Sequence, residues 1–303
     1  LPVEKAINRL REIAPEPETI YYIYVTDEKK HLTGVVSLRE LIGAHDGVKV
    51  EEIMQKNIIS VNVRADQEEV ARIVSKYNFL AVPVVDDRNY LLGIVTVDDV
   101  LDVMEEEATE DFYRLVGTTE IEGAALVDAS ALHIAGKRLP WLIICLLGGL
   151  ISGSVIGTFE ETLKAVVTLA FFIPVIMDTG GNVGAQSSTV FVRGLATGEI
   201  SSVDVWKYFF RELRVGLTMG IITGVISGAA AVLLHGAPIL GIVVGISMLT
   251  TVSLAAAIGI IIPLLFSKLG LDPAITSGPF VTTIKGITGL LIYFLIARFF
   301  MGI

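Results

Sequence analysis

The sequence is poor in the residues that carry most enzymatic and structural metal chemistry. It has one cysteine, Cys145, so no disulfide can form within the chain, and it has only four histidines. No Ser-His-Asp, Cys-His or metalloenzyme spacing occurs among its 303 residues. These shortages exclude a disulfide-stapled domain and the common hydrolase and zinc-enzyme sites. We therefore predict that the protein is not an enzyme and has no catalytic residues.

Charged residues are also scarce, but only in the second half of the chain. Residues 139–303 carry 7 Asp or Glu and 8 Lys or Arg, whereas residues 1–138 carry 26 and 15. A mean hydropathy of +0.68 with 52% hydrophobic residues is too apolar for a soluble protein of this length. The sequence predicts an acidic soluble half followed by a nearly neutral membrane half. Because the net charge is −10, the chain repels phosphates, and we expect no nucleic acid partner.

The soluble half contains an internal repeat. Residues 23–42 align with residues 82–101 at an offset of 59 residues without a gap. Each copy has the pattern of a β-branched strand, a polar turn at Asp27 or Asp86, a second strand and a helix. The repetition predicts two similar α/β units. Amphipathic helical patterns precede the two copies, at 3–13 and 67–77.

An acidic segment connects the repeats to the membrane half. Eleven carboxylates lie between residues 98 and 128, opposed only by Arg114. Like charges four residues apart on a helix repel by roughly 0.2–0.5 kcal/mol per pair, so a second acidic surface beside them would call for divalent cations. Mg²⁺ suits this role because it binds through one or two carboxylates and keeps several waters, whereas the alternative is a solvated acidic face. Four candidate metal ligands recur every four residues on one helical face: Asp98, Asp102, Glu106 and Glu110.

Five apolar spans follow, each near the roughly twenty residues that cross a bilayer. Lys and Arg precede the first span and fill the connection between the second and third, whereas the connection around His235 has none. We expect the protein to lie in a bacterial inner membrane. By the positive-inside rule, its soluble half is then on the cytosolic side and its C-terminus is external. An odd number of spans favours a homodimer with a pore at the subunit interface. The spans are predicted at 139–159, 163–186, 215–234, 238–266 and 279–300.

The second predicted span carries polar residues at membrane depth. After an apolar run over 162–177 come Asp178, a glycine pair and Asn182, and apolar residues resume a few positions later. Polar groups there are costly and usually face a water-filled cavity or a partner, and their oxygens are good ligands for hard cations. We interpret the segment as part of an ion path. The alternative is that the helix stops at Gly180-Gly181 and that Asn182 lies in water.

The block Gly180-Gly-Asn-Val-Gly-Ala-Gln186 resembles the signature of the MgtE family of magnesium channels or transporters. The repeats resemble cystathionine-synthase-type (CBS) domains, and the resemblance covers nearly the whole chain. It implies an α/β CBS-domain pair followed by an all-α polytopic membrane domain of five transmembrane helices. It also implies a further N-terminal acidic domain, which we expect has been removed because residue 1 is Leu rather than Met. The implied segments are a truncated CBS repeat at 1–46, a second repeat at 47–103, a connecting (plug) helix at 104–136 and the membrane domain at 137–303.

The resemblance implies metal contacts in the fifth span and before it. Asp272 matches an acid at the inner mouth of the family's pore, and Thr282 and Thr283 match positions whose oxygens line it. In the family an aspartate at the position of Gly286 forms the central Mg²⁺ site. This chain lacks that carboxylate and carries Lys285 beside the gap.

The missing aspartate leaves the ion path to other groups. Asp178, Asn182 and backbone carbonyls would have to supply the negative field. Lys285 would either face the pore and repel cations, or turn away from it to snorkel or to pair with Asp178.

CBS repeats often bind adenosine nucleotides, and the segment from Gly93 through Thr96 to Asp99 looks like the family's contact segment. The Thr96 hydroxyl and the Asp99 carboxylate suit phosphate and ribose, but they equally suit capping of the helix that starts there. The first copy keeps Ser37 as a polar partner, with Glu40 as a longer acid in the place of Asp99. We expect ATP or another adenine nucleotide as a ligand of these residues.

These patterns lead to one main hypothesis and two alternatives. The main hypothesis is a homodimeric divalent-cation channel that takes up Mg²⁺ through the membrane and closes when Mg²⁺ binds between the CBS domains and the plug helix. Its partners would be Mg²⁺ ions, membrane lipid and a second copy of the chain. The first alternative is a non-conducting, membrane-anchored sensor of Mg²⁺ or nucleotide, suggested by Lys285-Gly286. Anion transport would explain Lys285 but fits the acidic helix and the glycine block poorly.

Overall fold

A computed structural model describes residues 1–13, 20–45, 47–118, 129–201, 203–276 and 278–302. The chain divides into two compact units, Leu1–Ala108 and Thr109–Ile303. The first unit is a mixture of short helices and strands, and the regular elements described in the second are all helices. The predicted α/β half followed by an all-α half is therefore confirmed.

The first unit contains two short sheets. Strands β1 and β2 are antiparallel, whereas β3 runs parallel to β4 and β4 runs antiparallel to β5. The predicted amphipathic helices are α1 and α4, each of which buries one apolar face. In chain order the elements are α1 (Val3–Ile13), β1 (Tyr22–Thr26), β2 (Leu32–Ser37), α2 (Leu38–Gly43), α3 (Val50–Ile53), β3 (Val61–Asn62), α4 (Gln67–Tyr77), β4 (Ala81–Val85), β5 (Leu91–Thr96) and α5 (Val97–Leu115).

The repeat is reproduced down to single hydrogen bonds. The Asp27 carboxylate accepts the backbone N–H groups of Lys29 and His31 at 2.9 and 2.8 Å, which closes the turn between β1 and β2. Asp86 accepts the same two bonds from the residues 59 positions later, both at 2.9 Å. The same side chain at the same place thus builds the same hairpin twice.

The two hairpins meet at their turns. The Leu32 N–H donates to the Asn89 carbonyl, and the Leu91 N–H donates to the Lys30 carbonyl, both at 3.0 Å. Leu32 and Leu91 are equivalent residues of the two copies, and so are Lys30 and Asn89. Each copy therefore makes the same bond to the other, which relates the copies by a local two-fold arrangement. The predicted pairing of the repeats within one unit is confirmed.

The second unit has five helices long and apolar enough to cross a membrane among its described residues, which confirms the predicted number. The second span includes a 3₁₀ turn that leads into α8. The elements are α6 (Ala131–Thr158), α7 (Glu160–Ala165), a 3₁₀ helix (Val167–Phe172), α8 (Ile173–Ala196), α9 (Val205–His235), α10 (Pro238–Lys268), a second 3₁₀ helix (Pro273–Thr276) and α11 (Pro279–Met301).

Several predicted boundaries differ from the structure, and among the spans the second ends at Ala196 instead of 186 and the third begins at Val205 instead of 215. The connecting helix was expected over 104–136, but α5 ends at Leu115 and α6 begins at Ala131. Three of the predicted carboxylates, Glu120, Glu122 and Asp128, lie outside the described residues. The first span starts eight residues earlier than the apolar run because its first turns contain polar residues, and hydropathy marks the membrane-embedded part of a helix rather than its ends.

The chain breaks its helical path before α8, and a carbonyl at the break has a partner on another helix. Pro174 lies in the first turn of α8, where a proline costs nothing because the N–H has no helical partner. The Tyr293 hydroxyl of α11 donates to the Leu169 carbonyl at 2.9 Å, and both residues are fully buried. This bond supplies a partner that hydrocarbon does not offer.

Helices α9 and α10 approach closely through glycines. A Cβ at Gly224 would lie 2.7 Å from the Gly245 carbonyl oxygen, and a Cβ at Gly228 would lie 2.7 Å from that of Gly241. Small residues four apart allow such backbone contact between membrane helices. In the first span, a Cβ at Gly148 would overlap the Thr283 side chain, whereas a Cβ at Gly149 would meet no described atom within 4 Å.

We predict that Gly224→Ala lowers the thermal unfolding midpoint of the detergent-solubilised protein. The new methyl group would push backbone against backbone, an overpacking that costs about 1–3 kcal/mol. Gly149→Ala is the matched control, because it makes the same change in a membrane helix with open space around it. Equal midpoints for the two variants would contradict the close crossing of α9 and α10.

Candidate functional site

Helix α8 carries a row of exposed polar side chains through the membrane half. It runs without interruption from Ile173 to Ala196, so the alternative that the helix stops at Gly180-Gly181 is wrong. Asp178, Asn182 and Gln186 lie four residues apart, and all three are exposed. We call these three residues the α8 polar stripe. The Asn182 amide donates to the Asp178 carboxylate at 3.2 Å, which leaves oxygens of both side chains free to face a cation.

Lys285 occupies neither of the positions expected for it. Its ammonium group is inside the helical unit, only 3% of the residue is exposed, and it does not pair with Asp178. Nζ donates to the backbone carbonyls of Gly180 at 3.1 Å and Gly181 at 2.7 Å. The lysine therefore binds the buried side of α8, opposite the polar stripe.

The predicted contacts of α11 separate into different environments. Thr282 is exposed, and its hydroxyl donates back to the carbonyls of Gly278 and Pro279 at 3.0 and 3.1 Å. Thr283 instead points at α6, where a Cβ at Gly148 would overlap its side chain. Gly286 is buried, and a Cβ there would lie 3.4 Å from the Met177 methyl group. Thr282 is thus the one of this pair whose side chain is exposed.

Asp272 is bound by a residue that sequence reasoning treated only as a lone countercharge. Arg114, near the end of α5, bridges Glu110 on its own helix and Asp272 ahead of α11. Asp272 also accepts the Ala274 N–H at 2.7 Å and so starts the second 3₁₀ helix. Within the second unit, Arg114 therefore ties the end of the acidic helix to the entrance of α11.

The acidic face of α5 is available to solvent within the described residues. Asp98, Asp102 and Glu106 are exposed, and Glu110 is partly covered by its bond to Arg114. The described residues bring together no group of three or more His, Cys, Asp or Glu side chains that could hold a metal ion. A cation on this face would therefore be held by one or two carboxylates through its water shell, which is the usual mode for Mg²⁺.

The nucleotide candidates form helix caps. The Thr96 hydroxyl donates to the Asp99 carboxylate at 2.6 Å, and the Thr96 N–H donates to the same oxygen at 3.2 Å. In the first copy the Glu40 carboxylate accepts the N–H and hydroxyl of Ser37 at 2.8 and 2.7 Å. The capping role is therefore real in both copies, and any ligand would have to compete with it or use the remaining lone pairs. Gly93 is exposed, with no described atom near its Cβ position.

One of these caps borders a cavity. A larger cavity, of about 450 Å³, lies in the membrane half and contains none of the nucleotide candidates. A cavity of about 250 Å³ lies in the soluble unit beside Ser37 and Glu40. Its walls include the aromatic rings of Tyr22, Tyr24 and Phe79. Aromatic faces beside a hydroxyl and a carboxylate suit a flat base carrying a sugar. Thr96 and Asp99 do not line this cavity.

Sequence reasoning missed several buried polar groups of the membrane half. The Ser187 hydroxyl of α8 donates to the Glu212 carboxylate of α9 at 2.8 Å. Among the described residues, three buried hydroxyls have no hydrogen-bond partner: Ser188, Ser247 and Thr251. Their helical spacing gave no sign of this, because a serine or threonine in a membrane helix commonly bonds to its own backbone.

Comparison with known proteins agrees with this organisation. Residues 173–296 match the family model MgtE, described as a divalent cation transporter, and residues 50–106 match the CBS domain model. The magnesium transporter MgtE of Thermus thermophilus is 44% identical over 98% of this chain, and that of Bacillus subtilis is 42% identical over 99%. The chain spans 65% and 66% of the lengths of these two relatives. Among solved structures, the cytosolic domain of the Mg²⁺ channel MgtE in complex with ATP is 54% identical over 34% of this chain and 42% of that chain, with a TM-score of 0.34.

We predict a pH-dependent contribution of Glu40 to stability. The backbone N–H of Ser37, and then its hydroxyl, hold the pKa of Glu40 below the ordinary value of 4.5. The carboxylate cap is therefore fully present above about pH 5 and is lost as the pH falls through the lowered folded pKa. Glu40→Gln should cost about 1 kcal/mol at pH 7, and this difference should shrink towards pH 3, as measured by thermal unfolding. Glu28→Gln, an exposed carboxylate on the neighbouring turn, is the control, and a difference for Glu40→Gln that does not change with pH would contradict the assignment.

Proposed function

The chain belongs to the MgtE family, and from this premise we propose that it transports Mg²⁺ across a membrane as a homodimer. The family predicted from the α8 glycine block is thereby confirmed, and the chain is a multi-pass membrane protein whose CBS half is cytosolic. The transport of Mg²⁺, its path and its regulation are proposals. The observation that carries them is the α8 polar stripe, a carboxylate and two carboxamides exposed on a membrane helix.

The α8 polar stripe supports the path because its exposure is unfavourable in any other setting. A carboxylate facing hydrocarbon costs several kcal/mol, so such residues normally face water or a partner. Asp178 and Asn182 offer the oxygen ligands that Mg²⁺ prefers, and Thr282 of α11 adds an exposed hydroxyl group. Ions would move passively down their electrochemical gradient along this surface.

A second copy of the chain supplies the missing wall of the path in this proposal. Five spans give no inverted repeat within one chain, and a two-fold axis beside α8 would place two stripes face to face. Only 11% of the apolar membrane-spanning part of α6 is buried, so this helix also has free surface for a partner subunit or for lipid. Two Asp178 carboxylates would then face one ion.

We further propose that the acidic face of α5 senses cytosolic Mg²⁺. Hydrated Mg²⁺ at Asp98, Asp102 and Glu106 would relieve their repulsion and allow a second acidic surface to come close. Arg114 provides the route to the membrane, because it joins α5 to Asp272 just ahead of α11. A Cβ at Gly278 would lie 2.6 Å from the Leu115 carbonyl oxygen, so the end of α5 and the start of α11 are in direct contact.

A nucleotide role for the soluble unit is proposed from the cavity at Ser37. Its aromatic walls would hold an adenine ring, and Glu40 would accept from ribose hydroxyls while Ser37 donates to phosphate. Thr96, Asp99 and Gly93 belong to the equivalent position of the second copy. ATP bound here would act on the stability of the CBS unit rather than on the chemistry of transport, because no transfer step is required of it.

The rival function is a membrane-anchored sensor that no longer conducts. The absent carboxylate at Gly286 favours it, since the ion path then has one acidic position from each subunit instead of two. Binding of Mg²⁺ to the soluble half without flux would distinguish the sensor from the transporter.

For transport, we predict that Asp178→Asn lowers Mg²⁺ uptake into proteoliposomes at least about tenfold, because the only carboxylate of the α8 polar stripe is lost. Asn182→Ala should reduce uptake less, since the carboxylates remain. Glu199→Gln, which removes a charge from the loop after α8, is the matched control. Gly286→Asp in the unaltered chain completes the set: uptake only after this change would support the sensor and overturn the transporter proposal.

For regulation, we predict that millimolar Mg²⁺ on the CBS side suppresses uptake, and that the double variant Asp102→Asn/Glu106→Gln weakens this suppression. The two changes keep the side-chain size but remove the charges that would bind the hydrated cation. Glu69→Gln on the exposed side of α4 serves as a control for charge alone. Unchanged suppression in the double variant would remove the acidic face from the mechanism.

A further inference from the structure

The glycines of the α8 block converge on one atom, the Nζ of Lys285. The carbonyls of Gly180 and Gly181 accept its hydrogen bonds at 3.1 and 2.7 Å. The third glycine, Gly184, provides room, because a Cβ there would collide with the last three atoms of the lysine side chain. The nearest atoms to that Cβ position all belong to Lys285. Each glycine of the block therefore contributes to the surroundings of the same ammonium group.

Among the described residues, the hydrogen bonds of this ammonium group go to two backbone carbonyl oxygens. The ion pairs formed by the described residues do not include Lys285. Each carbonyl has two lone pairs, so Gly180 and Gly181 can serve the α8 helix and the lysine together. Rings of backbone carbonyls are also how proteins replace the water around small monovalent cations within a membrane. The two carbonyl oxygens of Gly180 and Gly181 thus have the chemistry of a cation site.

A second observation places a polar group at the same helix junction. The methyl group of Thr251 of α10 packs on Gly180, 3.0 Å from a Cβ built there, and on Gly289, one turn along α11 from Lys285, where the Thr251 hydroxyl lies 4.0 Å from the Cβ position. Its hydroxyl is buried and has no partner among the described residues. An unpaired buried hydroxyl is costly and calls for an explanation. The junction of helices α8, α10 and α11 therefore contains a buried hydroxyl as well as the buried ammonium group of Lys285.

We propose that the carbonyls of Gly180 and Gly181, with the space at Gly184, form an intramembrane site for a primary ammonium ion that Lys285 fills as a tethered cation. Gly180 and Gly184 lie on the buried side of α8, each two residues from Asn182, and residues two apart on a helix point to nearly opposite sides. Lys285 therefore does not touch a transported ion. It is a positioning residue that holds α11 behind α8 and thereby fixes the α8 polar stripe. This last consequence depends on the transport function proposed above, whereas the ammonium site itself does not.

A double-mutant cycle tests the site without any transport measurement. Lys285→Met keeps the apolar length of the side chain but removes the ammonium group, and Gly184→Ala displaces it. Each change should lower the thermal unfolding midpoint in detergent, and the double variant should be no worse than the poorer single variant, because both remove one interaction. Lys268→Met, an exposed lysine at the end of α10, is the control and should leave the midpoint unchanged. Additive losses, or no loss for Lys285→Met, would overturn the proposal.

Chemical complementation tests the ligand class. Lys285→Ala leaves the carbonyls and the space in place, so ethylammonium should restore the unfolding midpoint of this variant. Tetramethylammonium has the same charge but no N–H group and should not restore it. Restoration by both ions, or by neither, would overturn the assignment of the site to a hydrogen-bonding ammonium.

The positioning role has its own measurement. Lys285→Met should lower Mg²⁺ uptake about tenfold, as expected when a binding group is displaced by a fraction of an ångström, and Lys285→Ala should regain uptake in ethylammonium. An unaltered chain that conducts nothing would refute the transport proposal but leave the cycle and the complementation valid. Full uptake by a Lys285→Met variant whose stability is reduced would confine the lysine to holding the helices and overturn its positioning role.

Discussion

The membrane half depends on one constraint: a backbone carbonyl or a charged group inside the apolar bundle needs a partner within the bundle, because hydrocarbon offers none. Helix α8 meets this constraint on two sides. On its buried side, the carbonyls of Gly180 and Gly181 accept the Lys285 ammonium group, and on its exposed side Asn182 donates to Asp178. The buried contact requires the small residue at Gly184, so the glycines that resemble helix breakers keep α8 intact and its neighbour close.

The helices of this unit are held by two different kinds of contact. Helices α9 and α10 touch backbone to backbone, with the oxygens of Gly241 and Gly245 where side chains would otherwise lie. Helices α8 and α11 combine the Lys285 ammonium contact with apolar packing, in a core that includes Ile176 and Val183 of α8 and Leu290 and Phe294 of α11. Dispersion energy adds up over many atoms in both helix pairs, and the α8–α11 pair adds a buried polar contact to it.

The soluble half could be predicted from sequence in more detail than the membrane half, for a physical reason. Its hairpins are built by local bonds, such as those that Asp27 accepts from Lys29 and His31, and local bonds leave a repeated pattern. In the membrane half the deciding contacts join helices far apart in sequence. Periodicity could not show that Lys285 reaches the carbonyls of Gly180 and Gly181, more than a hundred residues away. Nor could it show that Thr282 is exposed while Thr283 packs on another helix.

The lack of an aspartate at Gly286 and the presence of Lys285 beside it both change the charge of the helical bundle. A Cβ at Gly286 would lie 3.4 Å from the Met177 methyl group and 3.8 Å from the Ser152 hydroxyl, whereas Lys285 reaches the glycine carbonyls of α8. A carboxylate at position 286 would therefore lie on a different side of α11 from the ammonium group. Without it, the proposed path draws its negative charge from Asp178 alone, one ring of two carboxylates in a homodimer. Conduction requires binding strong enough for entry and weak enough for release, and a path with one acidic ring shifts that balance towards release. The limiting step for this chain would then be the capture of the ion at Asp178, which makes the exact placement of α8, and hence the ammonium group behind it, the determinant of the rate.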